Sequence, residues 1–166
     1  IFDTIIKIAK IQSGSERKKF IKVNLEDFGY EIFETYGPVI EDKGFQANLS
    51  TIKGSKIKMD KDLMFILITN LIQNSLKFAK KGTKITFVFG PDKIAVKDQG
   101  PGIPKNQKTK VIKPLYQINK IDEGGLGLGL SMVKTICEIH KAHLILENNK
   151  EGLTTGIWFK KKKSAH

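Results

Sequence analysis

Residues 60–82 read DKDLMFILITNLIQNSLKFAKKG, and this stretch decides the fold of the chain. Its apolar residues recur with the 3.6-residue period of a helix. Asp60 suits the N-cap and Gly82 suits the end, so the sequence predicts a helix over residues 61–81. The predicted apolar face consists of Phe65, Ile68, Ile72, Leu76 and Ala79, widened by Leu67, Leu71 and Phe78.

Three polar side chains lie on the other side of this predicted helix. At about 100° per residue, Asn70, Asn74 and Lys77 fall within about 60° of one another. An exposed face would favour Glu, Lys and Ala, because Asn is a mediocre helix former. Two aligned amide oxygens can ligate a hard cation, and a lysine one turn on can neutralise phosphate. The residues alone leave open whether this is a solvent face or a site.

The flanking sequence alternates between helical and strand patterns. Residues 1–20 predict a helix that ends near residues 13–15, with a polar link over 16–22, and Asn24 caps a second predicted helix that ends at Gly44. Strands are predicted at 45–52, 56–60, 83–90, 93–100, 143–149 and 154–162, a glycine-opened helix at 126–142, and a mobile loop at 100–124. This order predicts an α+β fold. It is a two-layer α/β sandwich whose mixed, mostly antiparallel sheet is covered on one face by helices and preceded by one helix.

Composition limits the classes of function. The net charge is +12, but the lysines are spread along the chain apart from residues 160–163. Aromatic residues are not interleaved with them as a stacking platform requires, which argues against nucleic acid as a partner. Cys137 is the one cysteine, and no Cys/His cluster has the spacing of a zinc site. With no apolar stretch near the ~20 residues of a membrane span and no signal peptide, we expect a soluble, cytoplasmic module.

The first of two glycine motifs is VKDQGPGIP, at residues 96–104, directly after a predicted strand. Gly100 and Gly102 permit tight turns and the close approach of a ligand. The Asp98 carboxylate can accept a hydrogen bond from an exocyclic amine such as that of adenine. An ordinary Asp/Gly turn explains the same residues, so this motif alone does not identify a site.

The second motif is EGGLGLGLSMVKTI, at residues 123–136. Gly125, Gly127 and Gly129 alternate with leucines before an apolar helix, and backbone N–H groups at a helix N-terminus can cradle an anion. No G-K-[ST] follows, which excludes a Walker loop, and the spacing is wrong for a Rossmann fingerprint. A flexible hinge explains the glycines but does not explain their strict alternation.

With NLIQNSLKFA, DQGPGI and GGLGLGLSMVKTI in that order, residues 23–161 resemble the catalytic, ATP-binding domain of bacterial sensor histidine kinases. These belong to the Bergerat-fold (GHKL) ATPases, which also include gyrase, Hsp90 and MutL. The resemblance implies that residues 1–22 are the second helix of a dimerisation and histidine-phosphotransfer hairpin with its linker. Residues 23–163 would then be the catalytic domain, and residues 164–166 a tail.

The resemblance also implies roles for individual residues. Asn74 would coordinate the Mg²⁺ that bridges the ATP phosphates, with Asn70 as an assisting ligand; Asn70 and Lys77 would be the catalytic residues, and Lys77 would contact phosphate. Phe78 would line the nucleotide pocket, and Asp98 would read the adenine amino group. The other nucleotide contacts would be Gly100, Gly102 and Ile103 in the pocket floor, and Gly125, Leu126, Gly127, Leu128 and Gly129 around the phosphates.

The residue at position 70 bears on the reaction. Hydrolytic members of the fold and its serine kinases carry a glutamate there to activate water or a hydroxyl, whereas Asn70 cannot act as a base. Neutral imidazole is already nucleophilic, so the sequence favours phosphoryl transfer to a histidine of the hairpin, in the same or the partner protomer. The resemblance implies a homodimeric full-length kinase, a downstream response regulator and, as an open option, a membrane anchor. An anti-sigma-type serine kinase or other ATPase of the fold, and a degenerate nucleotide-binding interaction module, stay as alternatives.

Three features depart from the family pattern. The chain contains no histidine followed by an acidic residue on a first hairpin helix, and His140 lies inside the last helix, where we expect a structural role. The lid segment reads VIKPLYQ in place of a phenylalanine-rich segment, with Gln117 where the family commonly has a basic residue. Lys141 and Ala142 replace the usual glycine pair after the last helix.

Overall fold

A computed structural model describes residues 2–118 and 126–159. Of the predicted site residues, Gly125 falls outside these ranges, as does the predicted tail. None of the described helices is long and apolar enough to cross a membrane. The helices and strands are α1 (Phe2–Gln12), β1 (Phe20–Asn24), α2 (Leu25–Asp42), β2 (Gln46–Thr51), β3 (Lys56–Asp60), α3 (Lys61–Phe78), β4 (Lys84–Gly90), β5 (Lys93–Asp98), α4 (Lys108–Val111), α5 (Gly129–Ile139), β6 (His143–Asn148) and β7 (Leu153–Trp158).

Five strands form the main sheet, in the order β2-β4-β5-β7-β6. Strands β2 and β4 are parallel, and the other neighbouring pairs are antiparallel. Strands β4 and β5 form the predicted hairpin, in which Pro91 presets the turn and Asp92 adopts a φ of 56°. The predicted mixed, mostly antiparallel sheet is confirmed.

The helices cover one face of this sheet. Along β4, Ile85, Phe87 and Phe89 are fully buried, whereas Lys84 and Thr86 lie on the open face. Helix α2 packs on β2 and β4, α3 packs on β5 and β7, and α5 packs on β6 and β7. Because α3 also packs against α5, it is held on two sides.

Both predicted N-caps are confirmed. The Asn24 side chain accepts hydrogen bonds from two backbone N–H groups in the first turn of α2, at 2.9 and 3.2 Å. The Asp60 side chain accepts one from the first turn of α3, at 3.1 Å. Each cap satisfies donors that a helix leaves unpaired at its start, which stabilises the helix by about 1 kcal/mol.

The predicted end of α3 is wrong by three residues. The helix ends at Phe78, and Ala79 has an extended backbone with ψ of 152°. The chain turns here because the Lys80 N–H donates to the Gln99 carbonyl oxygen at 3.3 Å, and Gly82 follows with a φ of 80°. A contact with the end of β5 therefore stops the helix before its glycine.

The predicted polar link over residues 16–22 is also wrong, because its last residues belong to β1. Strand β1 pairs antiparallel with β3 in a separate two-stranded sheet. Of the five residues in β1, only Val23 is buried, so the strand carries little of the apolar alternation that identifies strands from sequence. In the predicted loop over 100–124, the structure forms a 3₁₀ turn (Lys105–Gln107) and the four-residue helix α4.

Helix α1 packs part of its apolar face against the rest of the chain. Ile8 and Ile11 are buried, and Lys7 forms an ion pair with Asp62 of α3 at 3.2 Å. Phe2 and Ile6 on the same helix are exposed, at 79% and 51%. The helix therefore divides its apolar residues between this domain and solvent.

Candidate nucleotide-binding site

Asn70 and Asn74 face the N-terminus of α5. Both side chains are half-buried between α3 and α5, so the interpretation as a solvent face is wrong. A Cβ atom on Gly129, the first residue of α5, would lie 3.4 Å from Asn70 Oδ1 and 3.6 Å from Asn74 Oδ1. Asn70 Nδ2 donates to the Ile66 carbonyl oxygen at 2.8 Å, which holds that amide in one orientation. The Asn74 Nδ2 atom lies 3.7 Å from the same Cβ position, so the two amide groups converge on the space that a glycine leaves open.

The start of α5 places backbone N–H groups beside those oxygens. Leu128 at its N-cap position makes no side-chain hydrogen bond, so the N–H groups of the first turn have no capping side chain. The positive end of the helix dipole points the same way, which favours an anion there. The predicted contacts Leu126 and Leu128 precede the helix, Leu126 being exposed and Leu128 half-buried.

Gly127 joins the lid segment to the start of α5. It has a φ of 66°, and a Cβ atom there would lie 2.9 Å from the Leu115 carbonyl carbon and 2.9 Å from the Tyr116 carbonyl oxygen. The Leu115 N–H donates to the Gly127 carbonyl oxygen at 3.0 Å. Tyr116 in turn hydrogen-bonds through its hydroxyl to the Gln107 side chain. The packing of the lid segment therefore requires glycine at position 127. This requirement is separate from the predicted contact of Gly127 with phosphate.

Asp98 ends β5 and lies beneath α3, where it is 7% exposed. Ser75 Oγ donates to Asp98 Oδ2 at 2.7 Å, and the Gly100 N–H donates to Oδ1 at 2.9 Å. The second bond is that of an ordinary Asp/Gly turn, but the first fastens the carboxylate to the helix that carries the asparagines. Each carboxylate oxygen keeps an acceptor lone pair for a ligand.

Sequence reasoning missed Ser75, although a signal was available. The residue falls among the apolar positions of α3, beside Leu71 and Ile72, and it is 1% exposed. A hydroxyl at such a position costs about 1–3 kcal/mol unless it is hydrogen-bonded. Its place on the apolar face of the predicted helix was therefore an indication of a buried polar partner.

Asn148 is a second residue that sequence reasoning missed. Its Oδ1 accepts the Ile103 N–H at 2.9 Å, and its Nδ2 donates to the Ile103 carbonyl oxygen at 2.8 Å. Gly102 has a φ of 70°, and a Cβ atom there would lie 2.8 Å from Asn148 Oδ1. The last residue of β6 thus fixes the loop after Asp98, with Ile103 buried, and only glycine fits at position 102.

Lys77 and Phe78 lie in the last turn of α3, and both are exposed. The Lys77 Nζ atom lies 5.2 Å from the centre of the Phe78 ring, within cation–π distance. A Cβ atom on Gly100 would lie 3.2 Å from the Phe78 carbonyl oxygen, so Gly100 packs against the end of this helix. The structure therefore brings the backbone of Phe78 to the turn at residues 98–103, here called the Asp98 corner, while Lys77 follows Asn70 and Asn74 along α3.

Two further titratable residues, His140 and Cys137, are buried and have structural roles. His140 stacks on Phe20 of β1, and its Nε2 accepts the Asp60 N–H at 3.1 Å, which confirms the structural role. Burial lowers the pKa of His140 below its ordinary value of 6.5. Burial raises the pKa of the Cys137 thiol to about 12, which keeps it unreactive. Within the described ranges, no group of three His, Cys, Asp or Glu side chains could hold a metal ion.

One protein family matches this chain over residues 59–165, and it is described as "Histidine kinase-, DNA gyrase B-, and HSP90-like ATPase". The chain belongs to this family. The match runs from the last two residues of β3 through β7 and so contains the asparagine helix, Asp98 and both glycine motifs. Because the members of this family are ATPases, ATP is the nucleotide of this domain.

The relatives within the family are sensor kinases. The chain is 34% identical over 111 residues to "Sensor protein BasS" of Salmonella typhimurium, covering 65% of this chain and 31% of that protein. It is 33% identical over 112 residues to "Sensor histidine kinase WalK" of Bacillus subtilis, covering 62% of this chain and 18% of that protein. The chain thus spans less than a third of these relatives. The predicted resemblance to an ATP-dependent histidine kinase catalytic domain is confirmed.

Solved structures share the fold. The catalytic domain of histidine kinase ThkA superposes with a TM-score of 0.71 at 23% identity, over 84% of this chain and 93% of that one. The cytoplasmic segment of histidine kinase QseC gives 0.70 at 16% identity, over 96% and 88%. Full-length ShkA, solved in complex with AMPPNP, gives 0.73 at 18% identity, over 94% and 34%. At these identities the likeness establishes the fold alone.

Proposed function

We propose that this domain binds Mg-ATP between α3, the Asp98 corner and the start of α5, and transfers the γ-phosphoryl group to a histidine. The acceptor is a histidine on a phosphotransfer hairpin, and the transfer is the first step of two-component signalling. The observation that carries the proposal is the convergence of Asn70 Oδ1 and Asn74 Oδ1 on Gly129, beside the uncapped N-terminus of α5. Neutral oxygens and backbone donors at one place suit a metal-bound polyphosphate.

The residues present fit the proposed ligands. The amide oxygens of Asn70 and Asn74 are hard donors, which Mg²⁺ prefers, and Mg²⁺ takes one or two protein ligands when phosphates supply the rest. Magnesium, when bound, neutralises phosphate charge. Asp98 retains acceptor capacity for the adenine amino group, and Phe78 lies at the same corner. Lys77 supplies a positive charge for phosphate in the next turn of α3.

In phosphoryl transfer, the role of this domain is to bind and orient the nucleotide. Asn70 occupies the position of a catalytic base in hydrolytic relatives, and an amide cannot take a proton from water. A neutral imidazole nitrogen of the acceptor histidine attacks without that help. Catalysis therefore rests on positioning by Asn70, Asn74 and Asp98 and on charge neutralisation by Lys77.

We propose the domain boundaries and the organisation of the full-length kinase from the likeness to sensor histidine kinases. Residues 1–22 would supply the second helix of the hairpin and its linker, and the exposed residues Phe2 and Ile6 are available to a second helix. Residues 23–163 would form the catalytic domain, followed by a short tail. The full-length kinase would be a homodimer that acts on a response regulator. Attachment of that kinase to the inner face of the cell membrane stays an open alternative.

Binding of Mg-ATP to the 166-residue chain tests the proposal first. Asn74→Asp and Asp98→Asn should each abolish binding measured by calorimetry, because one places a charge beside the phosphates and the other replaces an acceptor by an amide. Asn48→Asp, an exposed amide on the open face of the sheet, makes the same chemical change away from the site and should leave binding unchanged. Unchanged affinity in both site variants would remove the site assignment.

Transfer is tested with radiolabelled ATP and a separately supplied hairpin domain from a sensor kinase. Label on the hairpin histidine, labile in acid, supports the histidine kinase. Acid-stable label on a serine would instead indicate a serine kinase of the same fold. Binding of ATP with no transfer to any hairpin tested would support an interaction module.

A further inference from the structure

Ser75 joins the asparagine helix to the corner that would read the nucleobase. The residue is 1% exposed and lies among the apolar positions of α3. The hydroxyl donates to Asp98 Oδ2 at 2.7 Å, across 23 residues of sequence. Because a carboxylate is acceptor-only, the single hydroxyl proton must point at Asp98, and the Ser75 oxygen has no second proton for another group.

The Asp98 carboxylate is held from two sides. Ser75 fixes Oδ2 from α3, and the Gly100 N–H fixes Oδ1 from the loop at 2.9 Å. Both donors are consumed by these bonds, so the Asp98 carboxylate presents to a ligand only its remaining lone pairs. A nucleobase edge with an amino group matches such a surface. A keto oxygen in the same place would meet acceptors only, and would be left unpaired.

We propose that Ser75 is a positioning residue that sets the nucleobase selectivity of the site, by orienting the Asp98 carboxylate toward the 6-amino group of adenine. The proposal rests on the proposed function, since it requires that adenine lie at Asp98. It adds a role for a residue next to Asn74 that touches no phosphate. The same hydroxyl therefore links the base end of the site to the helix that carries the phosphate end.

Selectivity between ATP and inosine triphosphate is the test, because inosine carries a keto oxygen in place of the amino group. In Ser75→Ala we expect Mg-ATP affinity to fall about tenfold, which corresponds to one charge-assisted hydrogen bond. We expect Mg-inosine triphosphate affinity to stay within about twofold, since it gains nothing from an oriented carboxylate. The ratio of the two affinities should therefore move toward one.

Ser131→Ala is the matched control. Ser131 is a buried serine at the start of α5 whose hydroxyl donates to the Leu128 carbonyl oxygen at 2.8 Å. It makes the same chemical change near the phosphate end, so any loss should affect both nucleotides equally. An equal loss for both nucleotides in Ser75→Ala, or no change in either, would overturn the proposal and leave Ser75 a packing residue.

If the alanine variant fails to fold, the same two affinities are measured on Ser75→Cys. Sulfur keeps the packing and leaves a weaker donor, so we expect an affinity ratio between those of wild type and alanine. A wild-type ratio in the cysteine variant would overturn the proposal. Failure of the wild-type chain to bind either nucleotide would instead refute the proposed function, and the melting temperature of each variant separates loss of fold from loss of selectivity.

Discussion

A Cβ atom on Gly152 would lie 2.2 Å from the carbonyl oxygen of Asp98. It would also lie 2.7 Å from the Gly100 backbone nitrogen. The turn between β6 and β7 therefore presses directly on the backbone of the corner that would read the nucleobase. Asn149 holds this turn by accepting the Gly152 N–H at 2.7 Å.

Gly152→Ala should therefore damage both the fold and the site. We expect the free energy of unfolding, measured in urea, to fall by about 2–4 kcal/mol, because backbone atoms must move to admit the methyl group. Gly37→Ala in α2 is the matched control, since its Cβ atom would have no neighbour closer than 3.7 Å. That variant should change the free energy of unfolding by no more than about 1 kcal/mol, because the gain in helix propensity is opposed by the crowding of a side chain that precedes Pro38. Equal effects of the two substitutions would contradict the close contact.

Gly129→Val should weaken Mg-ATP binding without unfolding the domain. The nearest contact of a Cβ atom at this position is Asn70 Oδ1, at 3.4 Å, so the first carbon fits and the two added methyl groups enter the space in front of the amides. We expect about a tenfold loss of affinity, equivalent to about 1.4 kcal/mol, with the melting temperature nearly unchanged. Wild-type affinity would show that the phosphates do not occupy this space.

Asn148→Ala should loosen the loop after Asp98. Two hydrogen bonds to Ile103 are lost, and each contributes about 1 kcal/mol, so we expect a loss of about 2 kcal/mol in the free energy of unfolding. Amide exchange at Ile103 should accelerate more than at positions in β4. Asn148→Asp keeps the acceptor for the Ile103 N–H and loses the donor, so its exchange rate should lie between wild type and alanine.

Lys141→Gly should stabilise the protein. Lys141 follows α5 with a φ of 51°, and the next residue closes the helix end with the bond from the Ala142 N–H to the Cys137 carbonyl oxygen, at 2.9 Å. A side chain in this left-handed conformation costs about 1 kcal/mol relative to glycine. Thermal and urea unfolding should both register that gain. Lys141→Ala keeps the unfavourable conformation and should give none.

The stability of the domain should fall below pH 6.5. Burial lowers the pKa of His140, the hydrogen bond to the Ile136 carbonyl oxygen and the charge of Asp60 partly oppose this, and Lys18 reinforces it, so the folded state keeps the imidazole neutral. As pH falls through 6.5, the unfolded chain binds a proton that the folded chain does not bind. Stability is then lost down to the folded pKa, by at most about 1.4 kcal/mol per pH unit. His140→Gln should remove this part of the pH dependence in urea titrations; an unchanged slope would contradict it.

Local features of this chain were predictable, and long-range contacts were not. The helix over α3 and its cap at Asp60 follow from periodicity and from one capping side chain, both of which act within a few residues. Strand β1 was missed because its one partner among the described strands is β3, whose paired residues lie 32 to 40 positions away, and because it has little buried surface. The early end of α3 was missed for a related reason, since the Gln99 carbonyl oxygen that receives the Lys80 N–H lies just after β5, 19 positions away in the sequence.

The sequence by itself determined the three motifs and the order of helices and strands apart from β1 and α4, because these depend on neighbouring residues. Only the tertiary structure decided that Asn70 and Asn74 face Gly129, and that Ser75 and Asn148 fix the two sides of the Asp98 corner. Helical periodicity states which side chains share a face. It does not state which partner covers that face, since this depends on how α3, α5 and the sheet pack together.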